Sequence, residues 1–421
     1  MVENSIEPIF INSTSMGDVS GLIDSTSEDI EIKLLYRGSA RDMFDENIRI
    51  NNPLFIQGRF GYLTCQGGEV SIEGSSLRND GSYHYILFKP KYIVEGRYDR
   101  EELKFNKIII EIQDLSEWLQ ERRFNHAFTK DKEILSIDMV DDTVNKFMFE
   151  DLTIKLINNL SRRHTKSDVT LRHQGSLVIV LKEVLDLDNI KKLVIKLKYF
   201  LTLFTQYNVP HIERVSVLNT LEDRNEEAYF SGFANNLYVR NINAFSDNQG
   251  ISLGQCLYTY QSVKDQFGTM LNRWLEIYDQ IKLPVNKFVY AAYESNLPID
   301  TRFKEIITSL EGLHKLIQKL KNNKIEEQTL SERLDEMLTT LELIDNSDDK
   351  RDLIEKCKNT RHFFSHLVDK NQEVYNTYEM RELVPILREV FLNYILCYLQ
   401  IKELHTRAED QLQDFFAKSI R

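Results

Sequence analysis

The chain has 421 residues, 42% of them hydrophobic and 28% charged, which favours two or three cores over one and is ordinary for a globular protein. Its formal net charge of −12 argues against a protein that coats nucleic acid, because Lys and Arg on phosphate supply most non-specific affinity. A small basic cleft stays compatible with that charge. The first residues are acidic and polar, without the basic-then-apolar order of a secretory signal. The most apolar window, 185–204, is interrupted by Lys191, Lys192, Lys196 and Lys198, so no membrane span is expected.

In chain order, the first 115 or so residues read as β-rich. Ile30, Ile32 and Leu34 alternate with charged residues, and Tyr83, Tyr85 and Leu87 alternate before Pro90. Lys104–Ile112 is an apolar, β-branched run. Gln66-Gly67-Gly68 and Arg78-Asn79-Asp80-Gly81 read as the turns between such runs, and the spacing predicts an antiparallel sandwich or barrel. Arg162, Arg163, His164, Thr165 and Lys166 form a basic cluster expected in a loop. A strand is expected at 176–181 and an apolar helix at 187–206.

From about residue 258 the pattern is helical. Asp300 and Thr301 are placed to cap a helix whose apolar stripe runs through Phe303, Ile306, Ile307, Leu310, Leu313, Leu316, Ile317 and Leu320. A second helix follows Thr329 and Ser331, and a third follows Asn346-Ser347-Asp348-Asp349 and continues through Leu353, Ile354 and Cys357. A fourth covers about 378–404, where Pro385 either kinks the helix or marks its first turn. The natural packing is a helical bundle. The expected division is 1–150, a mixed segment 151–257, and a bundle 258–421, an α+β multidomain chain.

Metal chemistry has little support. Cys65, Cys256, Cys357 and Cys397 are far apart and lack zinc spacing, so free thiols in a reducing cytoplasm are expected, with no metal and no cofactor. No P-loop, no HExxH and no clear Asp-x-Asp catalytic pair supports a nucleotidyltransferase or a metal-dependent nuclease. Asp141-Asp142 and Asp348-Asp349 suit turns and caps.

The third helix carries Asn359-Thr360-Arg361-His362-Phe363-Phe364-Ser365-His366. An Arg, a polar residue after it and a His a few positions on resemble the motif of the HEPN ribonucleases, which bear it on a late helix of an all-α bundle. The β-rich front followed by such a bundle is similar to the ApeA-type antiphage proteins. That likeness extends over most of the chain, but the Arg–His motif is its specific part. It implies a metal-independent endoribonuclease of abortive infection, with Arg361 and His366 catalytic and His362 beside them. It also implies a homodimer that sets two motifs face to face, an RNA substrate with tRNA as one candidate, and a phage-derived trigger sensed by the front half. Degenerate members imply the alternative, a catalytically silent module that dimerises and binds a nucleotide or a protein.

Residue chemistry fits the first reading. Attack by a 2′-hydroxyl on phosphorus needs a base, an acid and a cation. His titrates near neutrality, and the guanidinium fork of Arg matches phosphate oxygens. Residues five apart on a straight helix diverge by about 140°, so Arg361 and His366 share a face only through a π-bulge, a helix end near Ser365 or a dimer. In a straight helix His362 and His366 pair instead. Glu311, Ser365 and Lys358 are further candidates for substrate contact, although Glu311 also reads as an exposed carboxylate and Ser365 as a hydroxyl bonded to its own helix. Lys350, Arg351, Lys356 and Lys358 form a candidate basic patch, and Phe363 and Phe364 read as core.

Overall fold

The computed structural model describes residues 6–13, 17–24, 30–37, 54–58, 61–78, 81–96, 103–120, 124–128, 133–137, 143–164, 169–205, 208–219, 235–240, 242–243, 256–321, 328–344, 346–366, 373–401 and 408–419. The chain separates into two compact units. A sheet unit comprises Met1–Ile112, Asp141–Ile195 and Ile212–Ala244; a helical unit comprises Gln113–Val140, Lys196–His211 and Phe245–Arg421.

The sheet unit holds β1 (Ile6–Ser13), β2 (Gly17–Asp24), β3 (Glu31–Arg37), β4 (Leu54–Gly58), β5 (Gly61–Arg78), β6 (Gly81–Glu95) and β7 (Lys104–Ile112). Later chain adds β10 (Thr143–Met148), β11 (Leu152–His164), β12 (Val169–Asp186), β13 (Ile212–Leu218) and β14 (Asn235–Val239). All pair antiparallel in the order β10-β11-β12-β7-β13-β14-β6-β3-β2-β1-β4-β5, and β5 also pairs with β6. That extra pairing makes a circuit of β6, β3, β2, β1, β4 and β5 around Ile23, Ile32, Leu34, Ile56, Cys65, Ile86 and Ile93. The sheet as a whole is mixed with helix and is not a closed barrel, since β10 lies at an edge.

The alternation of Ile30, Ile32 and Leu34 buries all three, as expected of a half-buried strand. In β6 the expected phase holds only for Leu87, which is buried. His84, Ile86 and Phe88 are buried, whereas Tyr85 is 48% exposed. Ile86-Leu87-Phe88 is apolar on both parities, so the pattern alone does not choose a face, and tyrosine tolerates the wet side. Gln66-Gly67-Gly68 does not end a strand. It bends β5 opposite Pro90, where Gly68 has φ +124° and any Cβ would collide with the Lys89 carbonyl. The second turn falls where expected: Arg78 pairs with Gly81, while Asn79 and Asp80 lie outside the described residues. β7 lies between β12 and β13, and most of it is buried, Asn106 and Lys107 included. Arg162, Arg163 and His164 belong to β11, not to a loop; Thr165 and Lys166 lie outside the described residues, as do Asp141 and Asp142.

The helical unit contains α1 (Leu115–Leu119), a hairpin of β8 (Phe124–Phe128) and β9 (Glu133–Ile137), and the end of α2 (Leu187–Thr202). Its other helices are α3 (Tyr260–Tyr293), α4 (Ile299–Leu320), α5 (Leu330–Thr340), α6 (Ser347–His366), α7 (Thr377–Tyr398) and α8 (Ala408–Ser419). Its core includes an aromatic cluster gathered from distant chain. Trp118 lies 5.7 Å from Phe204, 5.5 Å from Tyr260 and 5.9 Å from Phe267, and Phe200 lies 5.2 Å from Phe267. Trp118 also donates its indole N–H to the Tyr258 carbonyl at 2.8 Å.

α4 packs against α3, α5, α6 and α7. Asp300 and Thr301 do not cap it; Pro298 precedes it, and Asp300 sits in its first turn, where a negative charge meets the positive helix end. Thr329 caps α5 and Asn376 caps α7, each through a capping box. Because α7 begins at Thr377, Pro385 is an interior residue and not its first turn. Among the described residues no helix is long and apolar enough to cross a membrane.

Candidate active site

α6 positions the motif. Asn346 Oδ1 accepts the Asp348 N–H at 3.0 Å, and Asp348 and Asp349 occupy the first turn. Leu353, Ile354, Cys357 and Thr360 form its buried side. The Thr360 hydroxyl accepts the Tyr375 N–H at 2.8 Å, which ties the late turns of α6 to the segment before α7. With the rotation of α6 set in this way, the residues after Thr360 have fixed directions.

α6 remains α-helical through His366, without a π-bulge or an early end. Arg361 and His366 therefore diverge. His362 and His366 are both exposed, and their ring centroids lie 4.7 Å apart at 49°. Arg361 is turned to α4: its Nη2 lies 3.0 Å from Glu311 Oε2, while Arg333 Nη1 of α5 lies 3.2 Å from Glu311 Oε1. One carboxylate thus holds two guanidinium groups. Side-chain exposure is 33% for Arg361, 24% for Glu311 and 11% for Arg333, so the bridge lies at the boundary of the core and not on the open helix surface expected for Glu311.

Ser365 and Lys358 are exposed on the same helix. The other cations of the expected patch are engaged: Lys350 with Asp335 at 2.7 Å, Arg351 with Asp348 at 2.9 Å and Lys356 with Asp352 at 3.3 Å. Phe363 and Phe364 are half-buried, 5.0 Å apart, and are not core. Near the helix end the packing face is narrow, so neither ring is enclosed.

A second polar cluster adjoins the first along α4. His314 is fully buried, with Nε2 3.1 Å from Glu336 Oε2, and its ring stacks at 5.8 Å on Tyr394. Gln318 donates to Glu336 Oε1, and Gln328 donates to Oε2 at 3.3 Å. Burial holds the imidazole below its ordinary pKa, outweighing the pull of Glu336 toward the charged form. Arg333, His314 and Glu336 are not among the candidates that the sequence singles out. His314 had a signal, because it falls on the apolar stripe between Leu310 and Ile317. Arg333 had none, since its partner is on another helix.

A cavity of about 420 Å³ opens elsewhere in the helical unit, among Arg273, Ile277, Lys321, Tyr394, Tyr398 and Gln400. None of the expected site residues lines it. All four cysteines are free thiols, and among the described residues no group of three or more His, Cys, Asp or Glu is arranged to hold a metal ion.

A helical bundle with an arginine anchored by α4 and two histidines at the end of a late helix is the setting of a HEPN domain. Residues 274–403 match the family model Apea-like HEPN. Residues 10–274, more than half of the chain, match the model of ApeA N-terminal domain 1. The chain belongs to the ApeA-like HEPN antiphage proteins, whose HEPN domains are of a ribonuclease type. No curated protein and no solved structure matches it significantly.

Proposed function

We propose that the chain is a metal-independent endoribonuclease of antiphage defence, acting at the end of α6. The observation that carries this reading is the exposed pair of His362 and His366, 4.7 Å apart, on the helix that also carries Arg361, which Glu311 holds toward α4. One neutral imidazole takes the proton of an RNA 2′-hydroxyl as its oxygen attacks the adjacent phosphorus. The other, protonated, gives its proton to the departing 5′-oxygen as the P–O5′ bond breaks. Arg361 offers its free donors to the phosphorane, and Lys358 and Ser365 contact the neighbouring backbone. Products are a 2′,3′-cyclic phosphate and a 5′-hydroxyl. The working unit in this reading is a two-fold dimer that joins two α6 ends in one groove, and the β-rich unit senses the phage-derived trigger.

The test is cleavage of RNA, tRNA included, by the full chain in excess chelator, with the ends identified chemically. Cleavage that persists in chelator and disappears in His366→Ala supports the reading; activity that requires added Mg²⁺ overturns it. Mixing inactive Arg361→Ala with inactive His366→Ala tests the shared groove, since mixed dimers regain activity if each half-reaction draws on a different chain. Glu311 favours a second reading, a silent binding bundle, because it already engages Arg361 in a structural ion pair. That reading predicts no His366-dependent cleavage of any RNA.

A further inference from the structure

We infer that His362 and His366 form a chelating site for a transition-metal dication of the zinc class, and that filling this site silences the helix end. The first half rests on geometry alone; the second rests on the ribonuclease reading above. The two histidines are one helical turn apart on a helix that is intact up to His366, so their backbone spacing is fixed. Both rings are exposed, with centroids 4.7 Å apart and planes tilted by 49°.

A zinc ion takes imidazole nitrogen at about 2.0–2.1 Å, which places each ring centre about 3.2 Å from the metal. For N–Zn–N angles between a right angle and tetrahedral, two such rings have centroids about 4.5–5.2 Å apart. The observed separation falls inside that interval, so the spacing of the two rings fits a shared metal ion. Water or substrate fills the remaining positions, as in a site with too few protein ligands to be structural.

Local electrostatics favour a cation here. His366 is the last residue of α6, where the helix carries its negative dipole end. Arg361, the nearest guanidinium in sequence, is offset in part by Glu311, which it shares with Arg333. Lys358 lies one turn back and opposes the ion, but it is exposed and its long stem keeps the ammonium in water. Imidazole selects zinc, nickel or copper over magnesium and calcium, which prefer oxygen. A bound metal occupies the nitrogen lone pairs, so neither ring can accept or pass a proton. The inference thus supplies a way to hold a toxic nuclease inactive.

The experiment is calorimetric titration of the full chain with Zn²⁺ and with Mg²⁺, beside His362→Ala and His366→Ala. Wild type should show a zinc site absent for Mg²⁺. Each variant should weaken that site about a hundredfold, the loss of a chelate's effective concentration, with circular dichroism unchanged. Zinc at the same concentrations should stop RNA cleavage, and chelator should restore it. Equal zinc affinity in wild type and both variants would overturn the site. Zinc bound at the pair with undiminished cleavage would overturn the silencing. A chain that binds zinc at the pair but never cleaves RNA would leave the site standing and refute the ribonuclease reading instead.

Discussion

The two units treat their polar side chains differently. In the sheet unit, buried polar groups are satisfied in small local sets: Thr64 donates to the Gly96 carbonyl at 2.8 Å, Ser75 and His84 bond at 2.7 Å, and Asn236 bridges Ser216 and Glu95. The first two sets tie β5 to β6, and the third ties β13, β14 and β6. In the helical unit, polar and charged groups gather on one seam, where α4, α5 and α6 supply Glu311, Arg333, Arg361, His314, Gln318 and Glu336. Scattered pairs hold a register; a concentrated seam makes a field that can act on a ligand. The difference fits the proposed function, in which chemistry falls to the helical unit and sensing to the sheet unit.

The sharpest break of that comparison is to remove what the helical unit takes from the front of the chain. A piece comprising residues 258–421 lacks Trp118, Phe200 and Phe204, which surround Phe267. Each buried aromatic lost costs about 3–5 kcal/mol, more in sum than a domain of this size has to spare. The piece should be insoluble or should melt without a cooperative transition in circular dichroism. A folded, sharply melting piece would show that the bundle is autonomous.

Next in size are the motif residues. Arg361→Ala and His366→Ala should each lower the cleavage rate by about 10²–10⁴-fold, while partly or fully exposed positions move the thermal midpoint little. Normal cleavage by His366→Ala would remove the site from α6. Smaller again is the bridge. Arg333→Met leaves Glu311 held only by Arg361, so Arg361 should tilt and kcat should fall by up to about a hundredfold with KM nearly unchanged. Arg333→Lys should restore part of the loss. A variant with altered KM alone would make Arg333 a substrate contact and not a positioning residue.

Much of this was legible before any coordinates. Periodicity located β3, β7, α2 and the helices after residue 258, because a strand or helix with one buried face writes its period into the sequence. It located Arg361, His362 and His366 on a late helix. It could not assign the phase of β6, whose apolar residues occupy both parities, nor connect Trp118 to Phe267 across the intervening chain. Glu311 was legible as a candidate, but its role as a bridge was not, since Arg333 and Arg361 meet it only through packing of α5 and α6. The choice between a bulged and a straight α6 also lies beyond pattern, because both keep the same residues at the same sequence spacing.

The smallest expected effect separates the two histidine environments of the helical unit. His314 is fully buried, and burial lowers its pKa in the folded state, whereas the unfolded chain exposes it with an ordinary value near 6.5. On acidification through that ordinary value the unfolded state takes up a proton that the folded state refuses. More protons on the unfolded side means that stability rises with pH, so it is lost as pH falls below about 6.5. One such group contributes at most about 1.4 kcal/mol per pH unit. Carboxylates held low, such as Asp188 by its bond from Lys91, lose their contribution only at more acidic pH. Between about pH 6.5 and 5, then, the midpoint of the wild type should decline. His314→Gln, which keeps a polar group toward Glu336 but cannot titrate, should start less stable and show a flatter decline over the same window. An identical slope in both proteins, followed by differential scanning calorimetry, would mean that His314 takes up its proton without unfolding, and that the seam tolerates a charge beside Glu336 and Tyr394.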